Sequence, residues 1–72
     1  MAYTLDDLSK TRQLVEAERK RVREQEEQVR QAEAAGQTPL LARQALVTMR
    51  QTLELLEQHL TDIWEDVVKP RR

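Results

Sequence analysis

A chain of 72 residues holds one domain at most, and folded chains of this size hide only about 60% of the surface their unfolded form exposes, which excludes a large private core. It has no cysteine, so disulfides, thiolate metal sites and thiol nucleophiles are excluded together. Charged residues make up 35% of the chain, yet 12 basic against 13 acidic side chains leave a net charge of -1, too weak an overall field to draw the protein to nucleic acid or anionic lipid.

No apolar run approaches the length needed to cross a bilayer, and the leading segment M-A-Y-T-L-D-D-L carries acidic residues where a secretory leader carries basic ones. A cytoplasmic protein with no membrane attachment is therefore expected. Phe is absent and Tyr3 and Trp64 are the only aromatics, while Leu, Ala, Glu, Gln and Arg dominate. That composition belongs to long helices and coiled coils. Strands favour β-branched and aromatic residues, which are scarce here.

In chain order, Thr4-Leu5-Asp6-Asp7 opens a first helix. The Thr4 hydroxyl is placed to accept from the backbone N–H three residues on, and Asp6 and Asp7 put negative charge at the positive end of the helix dipole. No Gly or Pro interrupts until Gly36, the only glycine, which supplies a left-handed C-terminal residue. Thr38-Pro39 follows at once, with Thr38 as N-cap and Pro39 at the first helical position. The second helix is expected to stop at Pro70. The chain thus reads as a single helical hairpin over 1–72, with a helix at 5–35, a corner at 36–38 and a helix at 39–69. Each arm is about 46 Å long at 1.5 Å per residue, and a link this short folds equal arms back antiparallel.

The apolar spacing points to the same arrangement. Leu46, Met49, Leu53, Leu56, Leu60, Ile63 and Val67 recur at alternating intervals of three and four, and Leu8, Val15, Val22 and Val29 recur every seven. Pairing Leu8 with Val67, Val15 with Leu60, Val22 with Leu53 and Val29 with Leu46 gives residue numbers that all sum to 75, as an antiparallel fold about the corner requires. In the intervening layers Thr11 faces Ile63, Glu18 faces Leu56, Gln25 faces Met49 and Ala32 faces Ala42, so the first arm covers its partner incompletely. On the second arm the apolar sector extends past the seam, with Leu41, Ala45, Thr52, Leu55 and His59 on one flank and Trp64 and Val68 on the other. A lone hairpin has nowhere to bury both flanks. The expected architecture is an all-α, coiled-coil-like hairpin that dimerises into a four-helix bundle, with Leu41, Ala45, Leu55, His59, Trp64 and Val68 meeting the second copy or another protein.

The basic run Arg19-Lys20-Arg21-Val22-Arg23 suggests phosphate binding, but successive helical residues point 100° apart and the run is fenced by Glu16, Glu18, Glu24, Glu26 and Glu27. Pairs within the helix are expected at Glu16–Lys20, Glu26–Arg30, Lys20–Glu24 and Arg23–Glu27. A solvated, ion-paired helix is the favoured reading. A nucleic-acid-associated regulator using Arg19, Lys20, Arg21 and Arg23 is the alternative. His59 is the only histidine and has no convergent partners for metal or proton-transfer chemistry. Glu18 and Gln25 are read as seam polars that set register or are merely tolerated at the seam's edge, and no Glu-x-x-His pair exists to build a di-metal bundle. No cofactor, metal or catalytic residue is expected.

Val22, Gln25, Val29, Ala32, Gly36 and Thr38, followed by Ala42, Leu46, Met49, Thr52-Leu53 and His59, form a pattern spanning roughly residues 17 to 60. It resembles that of a group of short uncharacterised helical-hairpin proteins abundant in alphaproteobacteria. This chain departs from the group at Gln37 and Pro39, where those proteins carry His-Asp ahead of the corner threonine, and at Leu56, where a second histidine is common. The resemblance implies a helical hairpin and no known activity. The residues themselves lead to the expectation of a non-enzymatic, homodimeric interaction module, a small regulatory or adaptor subunit serving a protein partner.

Overall fold

The computed structural model describes residues 2–68 and contains two helices, α1 (Leu5–Ala34) and α2 (Leu40–Val67). They fold back on each other into a rod 57 × 15 × 15 Å. The expected stop at Pro70, the last residue of the expected second helix, Lys69, and the basic tail lie outside the described residues.

Thr4 caps α1 in a reciprocal box: Asp7 N–H donates to Thr4 Oγ1 at 3.2 Å, and Thr4 N–H donates to Asp7 Oδ2 at 2.9 Å. Both groups would otherwise be orphaned donors at a helix start. At the other end Gly36 has φ +79°, its N–H donates to the Glu33 carbonyl, and Gln37 N–H donates to the Ala32 carbonyl, both at 3.0 Å. This doubly bonded, left-handed closure is the Schellman arrangement that glycine adopts without a Cβ penalty.

The entry to α2 differs from the expected cap. Pro39, not Thr38, is the N-cap residue, at φ -82° and ψ 67°, with no side-chain cap bond. Leu40 N–H donates to the Thr38 carbonyl at 2.9 Å, so Pro39 is the centre of an inverse γ-turn. Its ψ is not helical, and the helix therefore begins one residue later than proline's fixed φ alone suggests.

Along the seam Val15, Val22, Val29, Leu46 and Ile63 are buried, and Leu8, Met49, Leu53, Leu56, Leu60 and Val67 are partly buried. Val22, Val29 and Leu46 form one cluster against which Ala42, Met49 and Leu53 pack. The Val22–Leu53 and Val29–Leu46 levels thus lie together as the register requires. Toward the open end Val15 and Ile63 are each only 1% exposed, the deepest points of the molecule.

Three seam positions on α1 are polar. Thr11 is buried. Gln25 sends its amide to the Ala42 carbonyl at 3.0 Å, about two turns of α2 nearer the corner than Met49, because an amide in the seam needs a polar partner and Met49 offers none. Glu18 is buried, and its carboxylate pairs with Arg21 at 3.3 Å. It interrupts the apolar seam between Val15 and Val22.

The two deepest side chains define what holds the arms together. Ile63→Ala should lower the unfolding free energy by about 3 kcal/mol. Gly36→Ala, which meets no atom within 4 Å and costs only backbone strain, should lower it by about 1 kcal/mol. Leu5→Ala, at a 69% exposed position, should change it by less than about 0.5 kcal/mol. Urea titration followed by helical circular dichroism measures all three.

Candidate functional site

With the seam closed, the hairpin has two flanks, and their chemistry differs. One is lined by ion pairs that bridge the arms. Arg19 donates to Glu57 Oε2 through Nη2 at 2.8 Å and Nε at 3.3 Å, Arg50 donates to Glu26 at 2.7 Å, and Arg43 pairs with Glu33. The residue numbers of each pair sum to 76, so the contacts repeat every seven residues along both arms. Each pair is roughly half exposed and contributes at most about 1 kcal/mol. Their larger effect is to occupy that flank with paired charge.

These bridges replace part of the expected in-helix pattern. Lys20–Glu24 is present at 4.0 Å, but Glu26 turns across to Arg50, and Arg30 pairs with Glu27 at 3.1 Å. The signal was available in sequence: residues 19, 26 and 33 face 57, 50 and 43 with opposite charge at every level. On the first turns, Asp6 holds Lys10 at 2.9 Å. Its hydrogen bond and its charge raise the Lys10 pKa above the ordinary lysine value.

The next level of the same series sets Arg12 opposite Trp64. Both line a shallow groove with Leu8, Leu60, Thr61 and Val68 at the open end of the hairpin. Trp64 and Val68 are 46% and 44% exposed, so they form the rim of this groove, apart from the other residues expected at an interface.

Those others share the opposite flank. Leu41, Ala45, Thr48, Thr52, Leu55 and His59 follow one another at intervals of four and three along α2, and all are exposed. The stripe carries no carboxylate, ammonium or guanidinium. Gln44, Gln51 and Gln58 run beside it at seven-residue spacing, again without charge. Thr48 satisfies its hydroxyl inside the helix by donating to the Gln44 carbonyl at 3.3 Å, which makes the stripe less polar than its letters suggest. Leu41 and Leu55 remain 79% and 66% exposed.

The far end of this stripe is touched by the chain's own start, a contact that the sequence alone does not signal. Ala2 N–H and Tyr3 N–H both donate to Asp66 Oδ2, at 3.1 and 3.2 Å. The Tyr3 ring stands edge-on to His59, with centroids 5.6 Å apart and an interplanar angle of 80°. No local motif signals a contact between residues so distant in sequence.

The basic run is dispersed. Arg19 is bound to Glu57, Arg21 to Glu18 and Lys20 to Glu24, so three of its four cations already face carboxylates instead of converging on a common surface with Arg23. Among the described residues no group of three or more His, Asp or Glu side chains is placed to hold a metal ion, and no helix is long and apolar enough to cross a membrane. Comparison of the chain with protein-family models, with curated proteins and with solved structures finds no match.

Glu18 marks where α1 departs from an ideal partner for α2. Buried charges stabilise less than well-packed apolar groups of similar volume, so Glu18→Leu, set against Leu56, should raise the unfolding free energy by about 1 kcal/mol. Arg21→Ala, which leaves the buried carboxylate without its cation, should lower it. The two shifts, of opposite sign, are read from urea midpoints.

Proposed function

We propose that this chain is a non-enzymatic helical-hairpin interaction module, a small regulatory or adaptor subunit that forms a homodimeric four-helix bundle and presents helix faces to a protein partner. The observation that carries this reading is the exposed, charge-free face of α2. Half of the residues of α1 are charged, whereas α2 between Leu41 and His59 carries charge only at Arg43, Arg50, Glu54 and Glu57, three of which are engaged in the cross-arm pairs. Depletion of charge at the centre of a patch is what distinguishes protein interfaces from ordinary surface, and leucines as open to water as Leu41 and Leu55 favour association.

The physics of the small core supports the same reading. A two-helix hairpin buries one stripe per arm, and here half of α1's stripe is polar or small. Association covers the second stripe of α2 and adds the packing that the isolated arms lack.

Sedimentation equilibrium at micromolar concentration tests it: the expected mass is that of two chains. Leu55→Glu, which places a carboxylate on the exposed stripe, should shift the protein to one chain at the same concentration and leave the ion-paired flank intact. A well-folded single-chain species for the unaltered protein overturns the homodimer.

A further inference from the structure

The spacing of the stripe on α2 is compatible with a two-fold axis through its middle. Its members, Leu41, Ala45, Thr48, Thr52, Leu55 and His59, are arranged evenly about the midpoint between Thr48 and Thr52. We infer that α2 pairs with α2 of a second copy in antiparallel fashion about a two-fold axis at that midpoint, an inference that rests on the homodimer reading and assigns its register. Thr48 of one copy then meets Thr52 of the other, Ala45 meets Leu55, and Leu41 meets His59.

Three features make this register self-complementary, as an isologous interface requires. The first is size. Ala45 is a hole and Leu55 a knob, and the axis sets each against the other twice, which is how facing helices interdigitate. The second is the end contact. Among the described residues Leu41 is the most exposed of the large apolar side chains, and it arrives at the place on the stripe where an aromatic pair, Tyr3 on His59, already stands.

The third feature is charge. Continuing the stripe one step past His59 reaches Asp62, which is exposed. The axis carries Asp62 beside the first turn of the partner's α2. That turn lacks what α1 has: no side chain caps it, and no acidic residue lies in it, whereas α1 has Thr4, Asp6 and Asp7. A helix N-terminus favours negative charge, and in this register each copy supplies the carboxylate that the other's second helix is missing.

A parallel pairing would place Ala45 on Ala45, leaving a gap, and Leu55 on Leu55, and would send each Asp62 toward the other.

Spin labels on the flanking glutamines test the register, because the chain has no cysteine of its own. In the full-length protein carrying Gln44→Cys, Gln51→Cys or Gln58→Cys singly, the antiparallel register predicts the shortest label-to-label distance at 51. The axial offsets are about 18 Å at 44 and about 24 Å at 58, from a rise of 1.5 Å per residue. Ala45→Leu should weaken dimerisation at least tenfold by sedimentation, and Ala45→Leu combined with Leu55→Ala should restore it. A dimer with three similar distances, or one that Ala45→Leu leaves unweakened, overturns this register and leaves the homodimer standing. A protein that sediments as a single chain overturns the homodimer and the register together.

Discussion

The structure depends on one antiparallel register between two long arms, and that register is set at the corner. Gly36 closes α1 with two backbone bonds, and the γ-turn at Pro39 reopens the chain as α2. Because so few residues separate the two closures, α2 has little freedom to slide along α1. A shift of one residue would rotate every apolar side chain by 100° off the seam. The buried levels, the row of cross-arm ion pairs and the position of the outer stripe all follow from the same alignment.

The two arms contribute unequally. α1 resembles a solvated helix, with a narrow apolar line broken by Thr11, Glu18 and Gln25. α2 has a complete apolar line and a second, outer one. The cross-arm ion pairs fall on the flank where Arg43, Arg50 and Glu57 meet α1, so α2 has one flank engaged in paired charge and one flank left without charge. Two chemically distinct sides on so slender a rod give it a direction from which to be approached.

The extent of the helices and their alignment were legible in the sequence because both depend on strong, periodic signals: a lone glycine, a seven-residue spacing on each arm and a capping box at Thr4. The identity of the α2 cap was less so, since proline fixes its φ and leaves ψ open, and the Thr38 carbonyl decides it. The cross-arm pairs were obscured by a competing local rule. Glu26 has Arg30 one turn away and Arg50 on the other arm, and which one it takes depends on a neighbour that only the folded register brings close. The Tyr3–His59 contact lies furthest from sequence reasoning, because it joins the extended start of the chain to a helix more than fifty residues on. The outer stripe was partly legible: Leu41, Ala45, Leu55 and His59 stand out, whereas Thr48 reads as polar until its hydroxyl is seen to be satisfied within its own helix.

Asp66 gives the rod an unusual mechanical character. A hairpin built from neighbouring segments closes cheaply near its bend and progressively less so toward its tips, where the ordering of each further layer must be sustained by fewer covalent constraints. Here the apolar closure at Val15 and Ile63 is followed, nearer the tips, by the Asp66 carboxylate, which receives two backbone donors from residues 2 and 3. The molecule is thereby pinned at both extremities, covalently at one and by hydrogen bonds at the other. Any event that pulls residues 2 and 3 away from Asp66 would lift the Tyr3 ring from His59 in the same motion, while buried Val15 and Ile63 keep the arms together.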